Sequence, residues 1–189
     1  MSVKRPADDA YYVEPWSNTF LQGDLFVDIP IAIPAPPDAV LMDEGNRRFL
    51  SGPFDAGPAM LLSPSCTIAA QGATPDTYAM PARTLVPIRP VAQLTDAGVI
   101  TAQNVSNLRA DRLRNYLYLP TGGTLTEESV ALLYMPITVH HDVIASERRA
   151  QLTGVAYRHL RVKLIAYNTG LVIDPDVFGE PQADTERTD

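Results

Sequence analysis

The stretch Gln22-Gly23-Asp24-Leu25-Phe26-Val27-Asp28-Ile29-Pro30-Ile31-Ala32-Ile33 decides the fold class. Leu25, Val27 and Ile29 fall on one face, with Asp24 and Asp28 on the other, which is the period of a half-buried strand. Pro34, Pro36 and Pro37 stop it, because proline has no N–H to give to a ladder. Working outward, residues 39–42 and 47–50 flank Asp43-Glu44-Gly45-Asn46, a hairpin turn in which Gly45 or Asn46 can take positive φ. Residues 59–62 are continuously apolar, as a strand buried on both faces would be. Residues 78–88, with Pro81 and Pro87 at edges or bends, then 116–119 and 130–139, complete a set of about seven strands.

Two segments read as helices. Residues 101–114 turn Val105, Leu108 and Leu113 inward, with Thr101 at the N-cap. Residues 153–168 give the stronger pattern, with Leu152, Val155, Ala156, Leu160, Leu164 and Tyr167 at helical spacing. Arg158, Arg161 and Lys163 fall outside that stripe, and His159 is expected at solvent or at a packing rim. Thr153 can cap the start, and Gly170 can close the end in the left-handed conformation. The sum is an α+β, β-rich domain: a curled antiparallel sheet or small barrel, one long C-terminal helix and a shorter middle helix.

A chain of 189 residues, 46% of them hydrophobic, is enough for a single core without metals or disulfides. Residues 1–18 read as a loose arm whose Tyr11, Tyr12 and Trp16 dock on the domain. Residues 19–173 form that domain, and 174–189 form a disordered acidic tail. No apolar run is long enough to cross a bilayer, and residues 1–10 lack the apolar core of a secretory signal, so a soluble, cytoplasmic protein is expected. The net charge of −7 weighs against general nucleic-acid binding, which needs clustered Lys and Arg. The single Cys66 excludes an internal disulfide and a Cys-built zinc site.

Three places could carry chemistry. The segment Ser63-Pro64-Ser65-Cys66-Thr67 follows the apolar strand, and Ser65 or Cys66 could act as a nucleophile. The commoner reading is Cys66 as a small buried hydrophobe and the serines as turn residues. His140 and His141, beside Asp142, end a strand, where neighbours point to opposite faces and cannot chelate one metal; His140 is kept as a candidate base. Arg112 and Arg114, with Tyr116 and Tyr118 and near Arg109, could grip a phosphate backbone and stack a base. The alternative is a helix end dressed with arginines, followed by a strand with buried tyrosines. Arg47-Arg48 and Arg148-Arg149 carry no specific message. No phosphate loop, His-Glu metal motif or nucleophile elbow is present, so no metal and no cofactor are expected.

Two stretches together, residues 22–29 and Gly57-Pro58-Ala59-Met60-Leu61-Leu62-Ser63, resemble the opening of MazF/PemK-type proteins. There a Gly-Asp strand is followed, after a long hairpin, by a Pro-led apolar strand ending in Ser. The chain is also similar to a broader group of bacterial and phage proteins with a Gln-Gly-Asp start and a Leu-Ser-x-(Ser/Thr)-Cys strand end. The resemblance implies a small SH3-like barrel with a late helix. In the toxins a basic residue precedes that Pro, whereas Gly57 stands here, and the last third of the chain has no counterpart in them.

The sequence therefore favours a non-catalytic interaction module with a protein partner, in a bacterial or phage setting. A metal-independent endoribonuclease resembling the MazF/PemK toxins is the alternative, and it requires Arg112, Arg114 and the Ser63–Thr67 loop to converge. A phage structural subunit, a homo-oligomer, is the third reading.

Overall fold

Strand β2 (Leu25–Ala32) starts in the alternation its sequence predicts and then breaks it. In the computed structural model, which describes residues 10–15, 19–32, 40–44, 47–51, 54–64 and 82–170, Asp28 takes φ 51°. A short polar side chain tolerates that left-handed conformation better than most. Between Phe26 and Ile29 the strand spends one residue more than its partner β5 (Phe54–Leu61) does between Ala59 and Gly57. This bulge turns Ile29 onto the face of Phe26, and the two share a cluster from which Leu25 is absent. The expected common face of Leu25, Val27 and Ile29 is therefore corrected by a single inserted residue.

Eight strands form one antiparallel sheet in the order β1 (Tyr12–Val13), β10 (Arg148–Leu152), β2, β5, β6 (Ala82–Pro90), β8 (Ser129–Leu132), β7 (Tyr116–Leu119), with β9 (Ile137–His140) also paired to β6. The sheet is not closed into a barrel. Its two end strands are instead tied by side chains: the Tyr12 hydroxyl donates to Pro120 O at 2.9 Å, and that of Tyr11 to Tyr118 O at 3.4 Å. Tyr11 and Tyr12 thus dock as expected; Trp16 lies outside the described residues. The strand expected over 130–139 is two, β8 and β9. Pro87, which has no N–H, lies in β6 between the residues that pair with each. The hairpin forms from β3 (Val40–Glu44) and β4 (Arg47–Ser51) as a sheet of its own. The turn residues Gly45 and Asn46, the prolines 34, 36 and 37, residues 78–81 and the acidic tail lie outside the described residues.

Both faces of the central strands are covered. Leu25, Met60, Val86 and Leu117 belong to one cluster with Ala156 and Leu160 of the last helix. Phe26, Ala59 and Leu61 pack with Phe20 and with Ile144 of the short α3 (His141–Ile144). Tyr118, Val130 and Leu132 pack under α1 (Val91–Asp96), a helix the sequence reading does not anticipate, and under Leu108 of α2 (Val105–Arg109).

The middle helix is shorter than expected. After a 3-10 turn at Ala102–Asn104, α2 stops because Asp111 adopts φ 53°. Arg112 N–H then donates to Asn107 O and Asp111 N–H to Leu108 O, the paired bonds of a left-handed helix stop. The long helix α4 (Gly154–Thr169) is capped as its sequence predicts. The Thr153 hydroxyl accepts from Ala156 N–H at 3.4 Å, and Gly170 closes the end at φ 75°. Its inward stripe needs two corrections: Val155 is exposed, whereas His159 and Lys163 are buried beside Leu160. Positions 156, 159, 160 and 163 share one face of a 3.6-residue helix, so Lys163 belongs to the stripe by spacing.

Leu160 has no exposed surface and Arg158 is exposed. Leu160→Ala should cost about 2–5 kcal/mol of stability, whereas Arg158→Ala should stay within about 0.5 kcal/mol. Thermal melts of the two variants check the ranking; the reverse order would mean that the helix presents its other face to the sheet.

Candidate functional site

Each residue of Gln22-Gly23-Asp24 has its own task at the junction of β2, β5 and β10. The Gln22 amide donates to Leu62 O at 2.7 Å. Gly23 sits at φ 93°, and a Cβ there would lie 2.7 Å from Leu152 Cδ1 and 3.0 Å from Leu160 Cδ2, so only glycine lets β10 and α4 close in. The Asp24 carboxylate is buried, accepting from Leu21 N–H at 2.9 Å and from Arg148 Nη1 at 3.2 Å. Arg148 also donates to Thr19 O and lies over the Phe20 ring at 5.0 Å. Beside them a small cleft of about 140 Å³ is lined by Leu21, Gln22, Asp24, Gln151, Leu152 and Tyr157. Burial raises the pKa of Asp24; hydrogen bonds from Leu21, Arg148 and Gln151 and the charge of Arg148 oppose the rise without cancelling it.

A second buried polar centre forms around Asp111. Its Oδ1 accepts from Tyr118 N–H at 3.1 Å, and its Oδ2 stands 3.2 Å from His159 Nε2. His159 Nδ1 is 3.3 Å from the Tyr11 hydroxyl. Lys163 donates to the carbonyls of Asp111 at 2.6 Å and Leu113 at 2.9 Å; burial lowers its pKa while Asp111 pulls the other way. The Tyr-His-Asp sequence has the connectivity of a proton relay, but Tyr11 is fully buried and the relay reaches no described cleft. Its work is to pin the N-terminal strand, the α2–β7 turn and α4 together.

The residues singled out from sequence are dispersed. Ser65 and Cys66 lie outside the described residues; nearby, the Ser63 hydroxyl accepts from Thr84 N–H at 2.8 Å. His140 is exposed and caps α3, 3.2 Å from Asp142, while His141 is buried against Phe20, its pKa lowered by burial and by Arg83. Arg112 is exposed. Arg114 donates to Tyr167 O at 2.6 Å, at the end of α4. Tyr118 is buried with its hydroxyl on Glu128 at 2.8 Å, and Glu128 also takes Arg109 at 2.7 Å. Tyr116 is half-buried, edge-on to Tyr134. Arg114 precedes β7, and β6 and β8 separate β7 from β5 in the sheet order.

Two clefts with lining residues in common form where no sequence motif points. One, of about 250 Å³, is walled by Pro87, Leu94, Val99, Leu132, Tyr134 and Met135. The other, of about 330 Å³, is lined by Asp55, Gly57, Thr124, Thr126 and Glu127 among others. They share Arg89 and Gln93. Arg89 lies 3.6 Å from Asp55, and its Nη1 stands 3.1 Å from where a Cβ on Gly57 would be. No local signal nominates Arg89, since residues 85–88 of β6 are all buried, and Gln93 comes from the unanticipated α1.

Among the described residues no three His, Cys, Asp or Glu side chains are grouped to hold a metal, and no helix is long and apolar enough to cross a membrane. No protein-family model matches the chain, and no curated protein does either.

The raised pKa of Asp24 sets a pH dependence. The folded state holds that proton more tightly than the unfolded chain, so the associated stability is full below the ordinary carboxylate pKa. It is lost as pH rises through the elevated value. Denaturation midpoints of the wild type should therefore fall relative to those of Asp24→Asn as pH rises across that window. A difference that grows with pH would mean that Arg148 outweighs burial.

Proposed function

We propose that the chain is a non-catalytic interaction module that takes an extended segment of a protein partner into the two clefts that share Arg89. The observation that carries this reading is a pair of clefts that share Arg89 and Gln93, the one bordered by Tyr134 and Met135 lined mainly by apolar side chains. Tyr134 and Val99, both substantially exposed, offer apolar surface that water covers poorly. Arg89 can exchange its pair with exposed Asp55 for a carboxylate on the partner. The segment that fits has an apolar side chain next to an acidic residue or a chain end. The bacterial or phage setting rests on the resemblance alone.

One observation favours the second reading, a metal-independent endoribonuclease. Arg89 reaches across from β6 to the space beside Gly57, so a basic group stands next to Pro58 after all. Phosphate is the anion such a group would then hold.

Fluorescent peptides pairing an apolar with an acidic residue should bind the wild type. Tyr134→Ser and Arg89→Gln should each weaken binding by roughly tenfold or more, a loss typical of a central interface residue. The melting temperature of Tyr134→Ser should stay near that of the wild type. Equal binding by all three proteins would remove the clefts from consideration. Metal-free cleavage of RNA that disappears in Arg89→Ala would establish the second reading instead.

A further inference from the structure

The polar cleft at Arg89 is lined by charges of both signs. Asp55 Oδ2 stands 3.6 Å from Arg89 Nη2, beyond hydrogen-bond range, and the Asp55 side chain is exposed whereas that of Arg89 is largely covered. Arg89 Nη1 donates to Ile88 O at 3.3 Å. Glu127, also exposed, adds a second carboxylate to the lining. The cleft that shares Arg89 and Gln93 with it is mainly apolar, with Leu94, Val99, Leu132 and Met135 in its wall. The two measure about 330 and 250 Å³, near the lower end of the ~300–1,000 Å³ of small-molecule sites, which suits a compact ligand.

A ligand that answers this lining carries a carboxylate for Arg89, a cation for Asp55 and Glu127, and one apolar group for the neighbouring cleft. An α-amino acid with an apolar side chain bears all three on one carbon. Its ammonium and carboxylate stand side by side, as Arg89 and Asp55 do, so each end meets its opposite and the resident pair need not separate. The ligand is neutral overall, and its entry adds no net charge to a partly covered guanidinium and carboxylate. We propose that the two clefts bind a free α-amino acid with an apolar side chain, and that it competes there with the partner segment. The inference rests on reading the clefts as the segment's site and differs from it at one residue. The segment displaces Asp55, whereas the amino acid is held by it.

The test is calorimetric titration of the full chain with L-leucine, which should bind. N-acetyl-leucine lacks the ammonium, leucinamide the carboxylate and glycine the side chain; each should bind roughly tenfold more weakly or worse. The Asp55→Asn/Glu127→Gln protein should lose leucine affinity by a similar factor. It should nonetheless bind the acidic–apolar peptides more tightly than the wild type, having no carboxylate to displace. Both side chains are exposed, so its melting temperature should stay near that of the wild type. Leucine should also displace a bound peptide. Absence of leucine binding, N-acetyl-leucine binding as tightly as leucine, or leucine affinity unchanged in the double variant overturns the proposal, as does a complex holding peptide and leucine together. Peptide binding without leucine binding leaves the segment reading standing and removes this one; leucine binding without peptide binding removes the segment reading alone.

Discussion

A carboxylate withdrawn from water has to be met by a cation and by hydrogen-bond donors, and at Asp24 that requirement organises half the molecule. The cation is Arg148, 124 residues away in sequence, and satisfying Asp24 places β10 against β2. Thr153 follows β10 directly and starts α4, so the position of the longest helix is set by the same pairing. Gly23, one residue before the carboxylate, keeps the space into which Leu152 and Leu160 pack. Strand β1 then adds to the far edge of β10. Removing one member of such a pair is costly because the other remains buried and uncompensated.

The Asp111 centre acts at the other end of the sheet. On the outer side of β7, the last strand in the sheet order, the Asp111 side chain accepts from Tyr118 N–H. To do so Asp111 must stop α2 and turn the chain, and the left-handed conformation does both. Lys163 then satisfies the carbonyls that the helix stop leaves open, and His159 links the same carboxylate to Tyr11, the residue before β1. The open seam of the sheet is thus held by polar contacts that work only in one arrangement. Apolar packing alone would tolerate several.

What could be read from sequence is whatever local chemistry fixes. Strand β7 falls where expected, the β3–β4 hairpin pairs across its turn, and Thr153 and Gly170 bound the last helix. Fold class follows from those. What could not be read depends on partners distant in the chain. The bulge at Asp28 looks like continued alternation until β5 is laid beside it. Arg148 looks like one of two featureless charges until Asp24 appears. Lys163 and His159 read as outward by charge, although by spacing their positions fall on the helical stripe. For the candidate site, neither Gly57 nor Arg89 is informative alone; their meaning arises from adjacent strands.

That adjacency also ranks the two anions Arg89 could hold. The missing side chain at Gly57 leaves room for the guanidinium, and Arg89 is one of the residues the two clefts share. A nucleic-acid backbone would bring a row of phosphates past Asp55 and Glu127, on a chain whose net charge is −7, with no second arginine among the residues lining the clefts. Repulsion would accumulate with each phosphate, and little counterion release would offset it. A single carboxylate has only Asp55 to displace, and that side chain is exposed and returns to water at little cost. Its neighbouring apolar residue gains the cleft beside Tyr134. On the proposed reading, the same guanidinium would discriminate by what surrounds it, in favour of one acidic group on a largely apolar segment.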